Sequence, residues 1–419
     1  MTTDSTVPSP TATAAVSRAY QASLELANAK GVHRNQTLKA MAAALEKAID
    51  NILEANTLDL EASREMAVPD LILEWLKLTP ERLQTAVQIL HRLAELPDPI
   101  QEALSTPYQV EYCQTYCQRM PLGTIALIYE AFPELGVIAA GLCLKTANSL
   151  ILRGGSEAIN SNTIIAQVLQ RAIEESGLPP SSIELLPADP GASIRDIVKL
   201  DQYINLIIPY GRPSLVEQVV KQATAPVLKS AMGNCYLYWG LSGSLDLARW
   251  MIIDSHQSEP DPVNAIEKVL IHHDQSYTAL VTLLNGLKEK GFELRGDPAL
   301  VAEFPELTLA NPSEWSQAYL RKVVTFKSVE NLEFAIAWMN RYSSGHANCL
   351  VTESYQESRQ FALGINSAAA FINNSPRFYR HPQRGSAIFL GMSNQRGFRR
   401  GLIGLESLTT TKHIIQGNR

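Results

Sequence analysis

Apolar residues between positions 35 and 66 recur at three-to-four spacing. Leu38, Met41, Leu45, Ile49, Ile52 and Leu53 form one stripe, which predicts amphipathic helix. A second helix is predicted over 80–93, and Pro97 and Pro99 end the helical stretch. Residues 108–118 are polar with interleaved aromatics, which suits an exposed hairpin arm better than a core strand. Short apolar runs then alternate with helical patterns. The runs are 124–129, 149–152, 183–186, 206–209 and 227–228, and a helix is predicted over 133–145. Such alternation predicts a parallel sheet covered on both faces. Ser156 is placed to cap the helix that follows it. The loop 254–263 carries two prolines and reads as the entry to a second domain, with helix and strand continuing to the end.

The 419 residues predict two or three domains. Apolar residues are 46% and charged residues 19%, the composition of a soluble globular chain. A net charge of −6 gives no support for nucleic-acid binding. The longest apolar run, 136–144, is far short of the roughly 20 residues of a membrane helix. The start of the chain lacks the basic and apolar stretches of a secretory signal. The expectation is therefore a cytoplasmic protein with neither membrane nor nucleic acid as partner. Five cysteines at 113, 117, 143, 235 and 349 match no zinc or disulfide spacing, so reduced thiols are expected.

Candidate chemistry is sparse. Arg153-Gly154-Gly155-Ser156 lies at a strand-to-helix turn, where an arginine and backbone amides could hold a cofactor phosphate. A plain tight turn explains the same residues equally well. His272-His273-Asp274 suggests a metal at first sight, but neighbouring side chains on an extended chain point to opposite faces. No metal is expected there.

Several runs carry a resemblance. They include Pro121-Leu122-Gly123, Ile128-Tyr129-Glu130, Leu142-Cys143-Leu144-Lys145 and Ile151 to Ala158. Later come Gly233-Asn234-Cys235, Asn264-Ala265-Ile266-Glu267, Ser344-Gly345-His346 and Arg400 to Glu406. In order and spacing the chain resembles the γ-glutamyl phosphate reductases of the aldehyde dehydrogenase superfamily, from about residue 15 to the end. The resemblance implies an α/β fold with two Rossmann-like parallel-sheet domains and a small β oligomerisation arm. It places the cofactor domain at 1–104 and 121–255, with a return segment at about 385–405. The catalytic-type domain falls at 256–384, and the arm at 105–120 and 406–419. It further implies NADPH-dependent reduction of L-glutamyl 5-phosphate to glutamate 5-semialdehyde, in proline biosynthesis. Arg153, Gly154 and Gly155 are the cofactor candidates. Lys145 also matches, although a helix-surface lysine would read the same.

The family reaction needs a cysteine thiolate that attacks the acyl phosphate. The family pattern Gly-Val-Cys-Asn-Ala-x-Glu becomes Asp261-Pro262-Val263-Asn264-Ala265-Ile266-Glu267, so Val263 stands at the nucleophile position. Asn264 and Glu267 are retained. Cys235 is the one substitute thiol to consider, against a simple buried role. Phe132 and Tyr210 stand where the family has arginines, and His256 and Glu259 replace a lysine and an arginine. Two functions follow: a reductase acting on a small-molecule substrate, or a catalytically silent paralogue. The latter would bind a nucleotide, or pair with glutamate kinase or a genuine reductase. Either would be a homo-oligomer.

Overall fold

The structure, a computed structural model, describes residues 10–188, 193–257, 261–380, 387–397 and 399–417. Glu259 lies outside the described residues. The chain divides into two compact units. One comprises Met1–Lys229, Arg380–Leu390 and Leu402–Arg419, and the other Ser230–Tyr379 and Gly391–Gly401.

The first unit holds a four-stranded parallel sheet. Its order is Ile183–Leu185, Ser149–Arg153, Thr124–Tyr129, Leu206–Tyr210. Thr124–Tyr129 is buried along its whole length, as its unbroken apolar run requires. Helix Pro133–Lys145 forms where expected and is buried on every side, which explains its lack of a polar face. The stripe from 35 to 66 becomes two helices, Gly31–Lys47 and Ile49–Glu65, parted at Ala48. Residues 227–228 add only an isolated bridge from Val227 to Ile207. The arm is a separate antiparallel sheet of Ala103–Leu104, Cys113–Pro121 and Thr409–Gly417. Its long partner is thus the C-terminal tail, with His413 opposite Cys117, and not a local hairpin.

The second unit holds a seven-stranded sheet whose paired strands all run parallel. Its side chains alternate between two cores. Leu237, Trp239, Val269 and Ile271 face one, while Tyr236, Tyr238 and Leu270 face the other. Cys235–Trp239 pairs with Ile266–His272 and Ala347–Val351. The second unit accordingly begins at Ser230, upstream of the loop at 254–263 that reads as its entry.

Candidate active site and cofactor cleft

Val263 lies in a short loop before strand Ile266–His272, and its side chain is buried. Its carbonyl oxygen is fixed from two sides. The Gly233 amide donates to it at 3.0 Å, and His346 Nε2 lies 2.7 Å away. A carbonyl only accepts, so Nε2 carries the proton. His346 is fully buried, and burial pushes its pKa down to about 4. The ring is therefore neutral at pH 7. The Ser344 hydroxyl lies 2.9 Å from Nδ1 and also contacts the Gly233 carbonyl.

Asn264 donates through Nδ2 to the Pro376 carbonyl at 2.7 Å. Glu267 is completely buried and accepts three backbone amides: Asn234 and Tyr319 at 2.8 Å and Leu320 at 2.7 Å. Asn234 and Leu320 both have left-handed backbone, at φ 54° and 57°. One carboxylate thus pins two strained residues beside the loop. Gly233 shares this constraint: its φ is +68°, and a Cβ would lie 2.9 Å from Ala318 Cβ. Lys268 Nζ sits 3.9 Å from Glu267, 3.1 Å from the Gln317 carbonyl and 3.7 Å above the Tyr319 ring. Burial raises the pKa of Glu267 and lowers that of Lys268 to about 8.

Cys235 is wholly buried, with Sγ 3.3 Å from His346 Nε2. Burial raises its thiol pKa well above the ordinary value. The geometry makes it a small apolar filler with a weak S–H.

In the first unit, Arg153, Gly154 and Gly155 line a cleft of about 400 Å³ with Tyr129, Glu130 and Arg212. Ser156 does not cap the following helix, which runs Ile159–Glu175. Asp59 does so instead. One of its oxygens accepts from Asn160 N and Nδ2 at 3.0 and 2.9 Å, the other from Ser161 N and Oγ at 2.8 and 2.6 Å. The helix end therefore already has its anion. A phosphate in the cleft would rely on Arg153 and the glycine turn.

A sequence profile of the aldehyde dehydrogenase family matches residues 5–233. Over 400 residues the chain is 54% identical to γ-glutamyl phosphate reductase 2 of a Synechocystis strain, covering 95% of each chain. It is 39% identical to γ-glutamyl phosphate reductase of Gloeobacter violaceus, covering 96% of each. The crystal structure of γ-glutamyl phosphate reductase from Thermotoga maritima matches with a TM-score of 0.88 and 32% identity, over 97% of this chain and 98% of that one. The chain belongs to the γ-glutamyl phosphate reductases of the aldehyde dehydrogenase family. That family is one of oxidoreductases, and membership implies a nicotinamide cofactor.

Against the family pattern, the substituted positions fall into packed places. Phe132 is buried and stacks on Trp75 at 4.6 Å between ring centroids, and Tyr210 meets its edge at 5.7 Å. Two positions where the resemblance sets arginine are thus aromatic here and pack on each other. His256 accounts for its place similarly. Its Nε2 lies 2.9 Å from the Ile266 carbonyl, its ring meets Phe292, and burial lowers its pKa to about 4. It supplies no cation.

Two further expectations are corrected. Lys145 is not a surface residue: it is 1% exposed and donates to Asn35 Oδ1 at 2.8 Å and to the Leu96 carbonyl. His272 and His273 do not point apart. The chain turns as it leaves the strand, and their rings stack at 4.9 Å between centroids. Asp274 donates its amide to His272 Nδ1 and faces His273 Nδ1 at 3.1 Å. No helix among the described residues is long and apolar enough to cross a membrane.

Proposed function

We propose that this chain is a catalytically silent member of the γ-glutamyl phosphate reductase family. It keeps the family's scaffold and binds a nicotinamide nucleotide, NADPH by resemblance. It does not reduce L-glutamyl 5-phosphate through a thioester. One observation carries the proposal. The nucleophile position holds a buried isopropyl group, and the one cysteine beside it, Cys235, is sealed in the core with a raised pKa. The family step forms an S–C bond to the acyl carbon as phosphate leaves. A valine cannot form that bond, and a thiol held protonated forms it slowly. The packed Phe132–Tyr210 pair supports the same reading, because aromatic rings stand where the resemblance sets two arginines, although Arg380 reaches the Tyr210 hydroxyl.

Arg153 would hold a phosphate of the cofactor, with Gly154 and Gly155 letting the backbone approach. The bound cofactor supplies hydride chemistry. With no thioester to receive hydride, the chain's role becomes binding. A cytoplasmic homo-oligomer that pairs with glutamate kinase or with a genuine reductase fits this role.

The test is turnover of glutamate 5-semialdehyde with NADP⁺ and inorganic phosphate, beside a Val263→Cys variant. The expected result is no NADPH formation by the wild type, with NADPH binding retained by fluorescence titration. NADPH formation by the wild type above the enzyme-free blank would overturn the proposal. Activity gained by Val263→Cys alone would show that the rest of the site is intact.

A further inference from the structure

On an extended chain, His272, His273 and Asp274 would point to alternate faces, which argues against a shared metal. The strand ends at His272, and that ground falls away. The two imidazoles stack, with ring planes 16° apart. Both Nδ1 atoms face Asp274. His272 Nδ1 accepts from the Asp274 amide at 3.2 Å, and His273 Nδ1 lies 3.1 Å from Asp274 Oδ1. One ligand atom from each of the three residues lies within 4.8 Å of the other two.

The backbone holds the turn in this shape. The His273 amide donates to the Val329 carbonyl at 2.9 Å, and the Gln275 amide to the His272 carbonyl at 3.0 Å. Gln275 Nε2 donates to the Gly240 carbonyl at 2.7 Å. The three donor side chains are consecutive on this anchored turn, so gathering them costs little further chain entropy. The side chains of His273 and Asp274 are 50% and 60% exposed, open to an ion from solvent and free to turn toward it.

The donors select the ion. Two imidazole nitrogens and one carboxylate oxygen suit zinc and its first-row neighbours, whereas calcium and magnesium take oxygen ligands. An ion about 2.1 Å from both His273 Nδ1 and Asp274 Oδ1 would see them at about 95°, between the octahedral and tetrahedral angles. At His272 Nδ1 the ion replaces the Asp274 amide, which lies in an exposed turn and passes to water.

We propose that His272, His273 and Asp274 bind a divalent ion of the zinc class, with water completing its coordination. The site stands at the opposite end of strand Ile266–His272 from the Val263 loop, about 20 Å along the strand. That separation makes it independent of the silent reading, and the ion fixes the turn rather than meeting a substrate.

The experiment is isothermal titration of the chelator-treated full chain with zinc chloride in a non-coordinating buffer. Wild type is compared with His272→Ala, His273→Ala and His413→Ala. The last tests the other histidine set beside a possible ligand, with Cys117 Sγ 3.4 Å from its Nδ1. Saturable zinc binding is expected for the wild type and for His413→Ala, and none for magnesium chloride. Affinity should fall by at least about tenfold in His272→Ala and in His273→Ala, since losing even the partner of a metal ligand costs that much. Zinc should also raise the melting temperature of the wild type and leave that of His273→Ala unchanged. Equal metal-free melting temperatures for the two would separate lost binding from lost folding. No saturable zinc binding in the wild type, a His273→Ala titration equal to wild type, magnesium bound as tightly as zinc, or binding lost in His413→Ala instead would each overturn the proposal.

Discussion

His346 Nε2 lies 2.7 Å from the carbonyl oxygen of Val263, the residue that the resemblance sets at the nucleophile position. The contact fixes the loop that carries Val263, and it has a pH consequence. His346 holds a folded pKa of about 4 against an ordinary 6.5, because burial disfavours the cation. Its unfolded form binds protons that the folded form refuses. Stability from this group is therefore complete above about pH 6.5 and falls as pH drops toward 4, by up to about 1.4 kcal/mol per pH unit. His256, also at about 4, acts in the same direction. Urea unfolding at pH 7.5, 6 and 5 should show this fall, and His346→Asn should flatten it while lowering stability at pH 7.5. A His346→Asn curve parallel to wild type would refute the assignment.

Cys235 should behave as core. Burial also raises the pKa of Cys143 and Cys349, while Cys113 is half-buried in the arm. Brief iodoacetamide treatment of native protein, read by peptide mass spectrometry, should modify Cys113 first. Cys235 should remain unmodified until denaturant is added. Rapid native labelling of Cys235 would reopen its candidacy as a nucleophile.

Apolar periodicity reveals elements but not their junctions. Residues 35–66 show one stripe because both helices pack against the helix Ile159–Glu175. The break at Ala48 leaves no mark in a three-to-four pattern, since it needs neither proline nor glycine. The half-buried strand at Cys113–Pro121 is legible as an arm, but its partner lies almost 300 residues away, at Thr409–Gly417. Local spacing cannot show such pairing. Val263 was found by motif alone. The roles of Glu267 and His346 were not, because a carboxylate serving backbone amides and a ring serving a carbonyl look like catalytic residues in sequence. Phe132 and Tyr210, 78 positions apart in sequence, form one packing unit that no local spacing reveals.

Asp59 offers a direct test of capping at long range. Its carboxylate is 2% exposed and accepts four hydrogen bonds from Asn160 and Ser161. Asp59→Ala should cost about 2–4 kcal/mol, since it removes a cap and leaves buried donors unpaired. Asp59→Asn should cost less, because the remaining carbonyl still accepts. Thermal unfolding of the two variants checks the order, and equal losses would show that shape rather than acceptance matters.

Glu267 should be the most sensitive of the retained loop residues. Its two oxygens satisfy three backbone amides, two of them on left-handed residues, and Lys268 balances its charge. Glu267→Gln replaces one accepting oxygen with a donor that faces backbone N–H groups. It also leaves Lys268 buried without its nearest acid. We expect a loss of about 3–5 kcal/mol, as for a broken buried pair. The double change Glu267→Gln with Lys268→Met should recover part of that loss, because it removes the stranded charge. Chemical unfolding of the wild type, both single variants and the double variant gives the coupling directly. Additive losses would mean that Glu267 acts only on the backbone amides and that Lys268 is balanced elsewhere.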